Sequence, residues 1–355
     1  VSIRVLVVDD SAMMRALLRH RLERDPDIVV VGSAANASEA RQLIKALNPD
    51  VVTLDIEMPG MDGLSFLEKI MQLRPTPVIL VSGATEAGAS ATVRGLQLGA
   101  VGCVAKSQLR LGDTGADDDA LITLVHTAAS VTLRALPHSA PARFVQAPAA
   151  GSPAPHAAPG LILIGASTGG VEALHVLLSA FPADCPPTLI VQHINPCFAG
   201  AIAQSLDRAV APTVRMAQSD QPLARGEVLL APGNDRHLQV ARAGSRGWRC
   251  VLREGDPVTG HRPSVDRLFA SAASALGEER GHEALGILLT GMGQDGAQGM
   301  AQLASIGAHT IAQDQASCVV FGMPRAAIEL GAVREILPLE RIAPAIFNPA
   351  RSVPA

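Results

Sequence analysis

The chain has 355 residues, enough for two domains that each bury a core, and it is 48% hydrophobic and 17% charged. A net charge of −4, no tyrosine, one tryptophan and seven phenylalanines leave neither a basic footprint nor an aromatic stacking surface, so no nucleic-acid partner is expected. No apolar run is long enough for a bilayer and no export-type leader is legible, while the five cysteines (Cys103, Cys185, Cys197, Cys250, Cys318) include no CxxC pair; a cytoplasmic protein with reduced thiols and no membrane insertion is expected.

In chain order, short apolar runs at residues 3–8, 28–31, 51–54, 78–81 and 101–104 alternate with helix-like segments at 11–24, 37–47, 64–73 and 118–133. This alternation predicts a doubly wound parallel sheet over residues 1–134. Residues 135–160 form a run of Pro, Ala, Gly and Ser without periodic apolar positions, which reads as a flexible linker. Apolar runs resume at 161–164, 188–192, 228–231, 284–290 and 309–312. A second α/β domain is expected over 161–347, followed by a loose tail at 348–355.

Polar residues of the first domain gather where its strands end. Asp9 and Asp10 follow the first, Asp55 the third, Ser82 the fourth and Lys106 the fifth. Open parallel sheets bind ligands at the carboxyl ends of their strands. Three carboxylates brought together repel unless a hard cation neutralises them, and a lysine adds a point charge for a phosphoryl group. Helix capping, as by Ser11, would explain one polar residue per loop but not the paired aspartates and the lysine. The stretches LVVDDSAMMR, LDIEMPGMDG and GCVAK resemble response-regulator receiver domains. The resemblance implies a flavodoxin-like fold with Asp55 as phosphoacceptor. It further implies Mg²⁺ held by Asp10, Asp55 and the backbone of Glu57 with Asp9 assisting, and phosphoryl oxygens contacted by Ser82 and Lys106. Cys103 and Ser107 stand where receivers usually carry an aromatic residue and a proline.

The second domain opens with LILIGASTGG. The loop has Ser167 where a dinucleotide fingerprint has its second glycine and Val171 where a Walker loop has its lysine, so phosphate binding is poorly supported. It satisfies GxSxG between a strand and an apolar helix beginning at Val171, a context that lifts a serine hydroxyl above a sheet. A turn of small residues would look the same. His193 ends the strand TLIVQH, and Asp295 follows the strand ALGILLT, so serine, histidine and aspartate each sit just past a parallel strand. Taken jointly they suit a nucleophile, its base and the carboxylate that orients the base. His237, His261, Asp266 and Asp314 compete for these roles and read as walls of the site. The arginines between residues 236 and 262 read as solvated surface.

The blocks GASTGG, QHINPCF, APGNDRHL, VTGHRPSVDRLF, LLTGMGQDG and TIAQDQASCVVFGMPRAAI resemble the chemotaxis protein-glutamate methylesterase (CheB) family. The resemblance implies a Rossmann-like esterase domain with a Ser167, His193, Asp295 triad and oxyanion amides near Thr168 and Met292. It also implies hydrolysis of glutamyl methyl esters on chemoreceptor cytoplasmic domains, deamidation of receptor glutamines, and a chemotaxis-type histidine kinase as phosphodonor. The receiver is then expected to restrain the esterase until Asp55 is phosphorylated. A receiver-controlled, non-enzymatic output module is the alternative, and a large, acidic α/β second half counts against it.

Overall fold

The computed structural model describes residues 2–58, 63–83, 85–109, 116–131, 159–233, 235–244 and 247–347. They form two compact units, one on each side of the linker sequence. The expected linker, apart from its last two residues, and the tail lie outside the described residues.

The first unit comprises β1 (Ile3–Val8), α1 (Ala12–Leu22), β2 (Ile28–Ala34), α2 (Ala37–Leu47), β3 (Val51–Asp55), α3 (Gly63–Leu73), β4 (Val78–Ser82), α4 (Glu86–Gln97), β5 (Gly102–Ala105) and α5 (Ala116–Ser130). Its five strands are parallel in the order β2-β1-β3-β4-β5. The central strands VVTLD and VILVS are buried at every position, as expected where helices cover both faces of a sheet. Ser11 does cap α1, accepting from Met14 N at 3.3 Å. Helix α4 was absent from the sequence expectation because EAGASATVRGLQ is rich in small residues and shows little apolar periodicity. Thr85 starts it by accepting from Gly88 N at 3.0 Å.

The second unit begins with β6 (Leu161–Ala166), α6 (Gly170–Ser179), β7 (Thr188–Gln192), α7 (Pro196–Ala209), β8 (Thr213–Met216), β9 (Gln221–Pro222), β10 (Glu227–Leu230), β11 (Arg236–Ala243) and β12 (Gly247–Glu254). It continues with α8 (Val265–Arg280), β13 (Ala284–Leu288), α9 (Ala297–Ser305), β14 (His309–Gln313), α10 (Met323–Glu329), β15 (Glu335–Leu337) and α11 (Leu339–Phe347). Seven strands form a parallel sheet ordered β15-β14-β13-β6-β7-β10-β8. The chain therefore winds outward from β6 in one direction through β7 and in the other through β13, which places a crevice above β6, β7 and β13. Strands β8 and β15 were not expected; they are short edge strands with exposed Arg215 and Ile336, and lack a buried apolar run.

The fold also contains a three-stranded antiparallel sheet, β11-β12-β9. Leu238 faces Leu252 and Val240 faces Cys250 across this sheet, and with Trp248 this side joins the core that includes Leu268, Phe269, Ala272 and Leu276 of α8. Arg249 and Arg253 are exposed, while Arg242 donates from Nε to Ala275 O at 2.9 Å. The arginine-rich segment is thus a hairpin whose alternate residues are core, and the interleaved charges masked its period of two. No described helix is long and apolar enough to cross a membrane. Phe269 is fully buried on α8, so Phe269→Ala is expected to cost about 3–5 kcal/mol of second-unit stability, read from urea unfolding.

Candidate functional site

The first unit brings its predicted residues together above β1 and β3, again where the strand order reverses. Asp9, Asp10 and Asp55 each offer a carboxylate oxygen within 4.8 Å of the others; Asp9 and Asp55 are buried and Asp10 is exposed. Lys106 Nζ reaches Asp55 Oδ2 at 2.7 Å and Asp9 Oδ2 at 3.0 Å. Burial works against the Lys106 ammonium, yet its hydrogen bonds to Asp55 and Asp9 hold its pKa above the ordinary value. Burial, reinforced by the charge of Asp55, raises the Asp9 carboxyl against the lowering effect of Lys106. One lysine against three carboxylates leaves an excess of hard, anionic oxygen, the donor set that a divalent cation such as Mg²⁺ takes. Asp55 Oδ1 also accepts from Glu57 N at 3.0 Å, which brings the Glu57 backbone beside the cluster. Ser82 is buried above the end of β4, but its hydroxyl donates to Gly83 O and Gly88 O, both at 3.2 Å, rather than to Asp55.

In the second unit, Ser167, His193 and Asp295 follow β6, β7 and β13. His193 Nε2 lies 2.8 Å from Asp295 Oδ2, with the two side chains 7% and 0% exposed. Asp295 also accepts from Ser264 Oγ at 2.7 Å, Val265 N at 2.7 Å and Asp266 N at 3.1 Å, at the start of α8. Burial alone would raise this carboxyl; the His193 hydrogen bond and charge, with Ser264 and the Val265 amide, outweigh it and hold the pKa well below the usual range. When the ring is neutral, a carboxylate on Nε2 makes that nitrogen the N–H and leaves Nδ1 as the acceptor. Nδ1 is buried and has no hydrogen-bond partner among the described residues. Backbone bonds register the three loops, from Ser167 N to Thr290 O at 3.0 Å and from His193 N to Ala166 O at 2.9 Å.

The peptides after Ser167 and Gly291 are oriented through their carbonyls. Ser167 O accepts from Gln192 Nε2 and Gly170 N, both at 2.8 Å. Gly291 O accepts from Gly322 N at 3.0 Å and Met323 N at 2.9 Å. In a trans peptide the N–H points opposite the C=O, so the amides of Thr168 and Met292 are turned away from those anchors. Both were predicted as oxyanion donors. Two glycines make the approach possible: Gly169 has φ +76°, and a Cβ on Gly291 would lie 2.7 Å from Ser167 Cβ.

Of the competing residues, His237 is buried with both nitrogens engaged, accepting from Ser264 N at 3.2 Å and donating to Asp256 O at 3.0 Å. Asp314 accepts from Ser317 N and Oγ in a local turn, and Asp266 accepts from Gly299 N at 2.7 Å, holding the first turns of α9. None of these three bonds His193. His261 does reach the site, its ring stacked on His193 with centroids 3.8 Å apart and planes 8° from parallel. Sequence reasoning missed Gln192, Ser264 and Gln313, whose Oε1 accepts from Thr290 N at 2.8 Å where β13 leaves the ladder. Only Ser264 carried a signal, as a helix N-cap before VDRLF.

Against known proteins, residues 162–346 match the CheB methylesterase family and residues 5–110 the response regulator receiver domain. The chain belongs to the CheB methylesterase family. A protein-glutamate methylesterase/protein-glutamine glutaminase from Caulobacter vibrioides is 50% identical over 98% of this chain and 97% of its own, and one from Agrobacterium fabrum is 49% identical over 97% and 96%. The crystal structure of the Thermotoga maritima CheB methylesterase catalytic domain covers 54% of this chain and 98% of its own at 32% identity and a TM-score of 0.50. The CheB match contains Ser167, His193 and Asp295, and the receiver match contains the carboxylate cluster and Lys106.

Because the folded Asp295 carboxyl is held below the ordinary aspartate value of 3.8, it stabilises the fold above that pH, and the contribution is lost as pH falls through the lower folded value. Asp295→Asn should therefore lower the melting temperature at pH 7, and its difference from wild type should shrink as the pH falls below about 4, as read by calorimetry.

Proposed function

We propose that the second unit is a serine esterase that hydrolyses γ-glutamyl methyl esters on chemoreceptor cytoplasmic domains to glutamate and methanol, and that it deamidates receptor glutamines by the same route. The observation that carries this reading is the buried His193–Asp295 pair, with its free Nδ1, on the strand end beside the Ser167 turn. The names of the full-length relatives support the substrate class.

Ser167 Oγ attacks the ester carbonyl as its proton passes to His193 Nδ1, and Asp295 stabilises the imidazolium through Nε2. The amides of Thr168 and Met292, with the N-terminal end of α6, receive the oxyanion; losing one such donor costs about 100- to 1,000-fold in rate. His193 returns the proton to the departing methoxide, releasing methanol, or to the departing amine from glutamine, releasing ammonia. Water then attacks the acyl-serine, giving its proton to His193, which passes it to the departing Ser167 Oγ as the glutamate carboxylate is released.

The first unit acts as the phosphorylation switch. Asp55 accepts the phosphoryl group from a phosphohistidine of a chemotaxis-type kinase, with Asp10, Asp55 and the Glu57 backbone as the Mg²⁺ site and Asp9 assisting. At that site Mg²⁺, when bound, would neutralise charge on the transferring phosphoryl group. Lys106 exchanges part of its bond to Asp55 for a phosphoryl oxygen. Ser82 can do so only by giving up its bonds to Gly83 and Gly88, which links chemistry at Asp55 to the start of α4.

In methanol-release assays on methylated receptors, Ser167→Ala should fold but lose at least about 10⁴-fold in kcat, and His193→Ala or Asp295→Ala should add little to that variant because the three act as a unit. Near-wild-type activity of Ser167→Ala would sink the serine assignment. With the same assay, a small phosphodonor and Mg²⁺ should raise wild-type turnover, and Asp55→Ala should keep the basal rate without responding. Stimulation of Asp55→Ala equal to wild type would place the switch elsewhere.

A further inference from the structure

His193 is held to Asp295 by a single hydrogen bond, from Nε2 to Oδ2. One hydrogen bond fixes a point and leaves the ring free to turn about the line from its Cβ to Nε2, which would change where the buried Nδ1 points. The ring of His261 lies flat against that pivoting body, at a centroid separation of 3.8 Å and 8° from parallel. We propose that His261 is a positioning residue of the esterase site, whose ring face blocks the pivot of His193 and keeps Nδ1 presented to Ser167. This rests on the serine-esterase reading above.

The backbone supports such a role. His261 and Val258 exchange hydrogen bonds, N to O at 2.9 Å and 3.0 Å, around a turn in which Thr259 and Gly260 have positive φ. Three residues later Ser264 caps α8 and donates to Asp295. Residues 258–266 therefore hold the base from two directions, through the carboxylate at its edge and through the flat ring on its face. A stack of this kind works by van der Waals contact over the whole ring, so it resists rotation without competing for either nitrogen of His193.

The chemistry favours an uncharged partner there. Burial, followed by the neighbouring His193, lowers His261 to about 4 despite the charge of Asp295, so at neutral pH the face turned to the base carries no charge. As His193 becomes an imidazolium, a neutral π face beside it is stabilising, whereas a second cation would oppose proton uptake.

The test uses the full chain with phosphodonor, Mg²⁺ and methylated receptor, measuring kcat, KM and melting temperature for His261→Phe, His261→Leu and Ser167→Ala. Phenylalanine keeps the flat face without the nitrogens, and leucine fills the space without a face. The expected result is kcat near wild type for phenylalanine and a loss on the order of 10- to 100-fold for leucine at unchanged KM and melting temperature. Equal losses for both variants would mean that a nitrogen of His261 is needed, and wild-type kcat for leucine would mean that the stack is idle. A leucine variant whose lost rate merely tracks its unfolded fraction has only a structural defect; each of these three results overturns the proposal. Activity in Ser167→Ala would instead bring down the serine reading beneath it.

Discussion

The second unit is organised around the cost of burying one negative charge. Asp295 is 1% exposed, and a carboxylate at that depth survives only if its oxygens are filled. Ser264 Oγ, the amides of Val265 and Asp266, and His193 fill them. Satisfying the charge also fixes where α8 starts, since three of those donors belong to its first residues, and which nitrogen of His193 carries the proton. Asp266, pushed toward its protonated form by burial and by the nearby Asp295, in turn binds Gly299 N on α9. One ionised group therefore ties two helices and the base into a single arrangement.

Both units solve their placement problem with the same topological device. In the first, β1 lies between β2 and β3; in the second, β6 lies between β13 and β7. Where connections leave a parallel sheet in opposite directions, the loops above the central strands part and leave polar side chains facing a common crevice. The chemistry then diverges with the residues supplied. Three carboxylates and a lysine suit a cation and a phosphoryl group, while a serine, a histidine and one deeply held carboxylate suit proton transfer.

Much of this was readable in sequence because strands buried on both faces are uninterrupted apolar runs, and polar residues just past them stand out. Asp9, Asp55, Lys106, Ser167, His193 and Asp295 were singled out on that basis. What escaped was determined by tertiary packing. Gln192 looks like any polar residue before a histidine until its amide is seen joining the carbonyls of Ser167 and His193, at 2.8 and 3.0 Å. The β11–β12 hairpin was hidden by arginines whose neighbours are core, and α4 by small residues that gain their helical pattern from packing rather than propensity. Ser82 was located correctly, but its hydrogen bonds to α4 depend on a helix that the sequence pattern did not announce.

The glycines around Ser167 limit what inheritance can alter. A Cβ on Gly170 would lie 2.8 Å from Ala166 Cβ and one on Gly291 2.7 Å from Ser167 Cβ, so neither position has room for a side chain of its own. A change of substrate preference by point substitution must therefore come from residues farther from the nucleophile than these glycines.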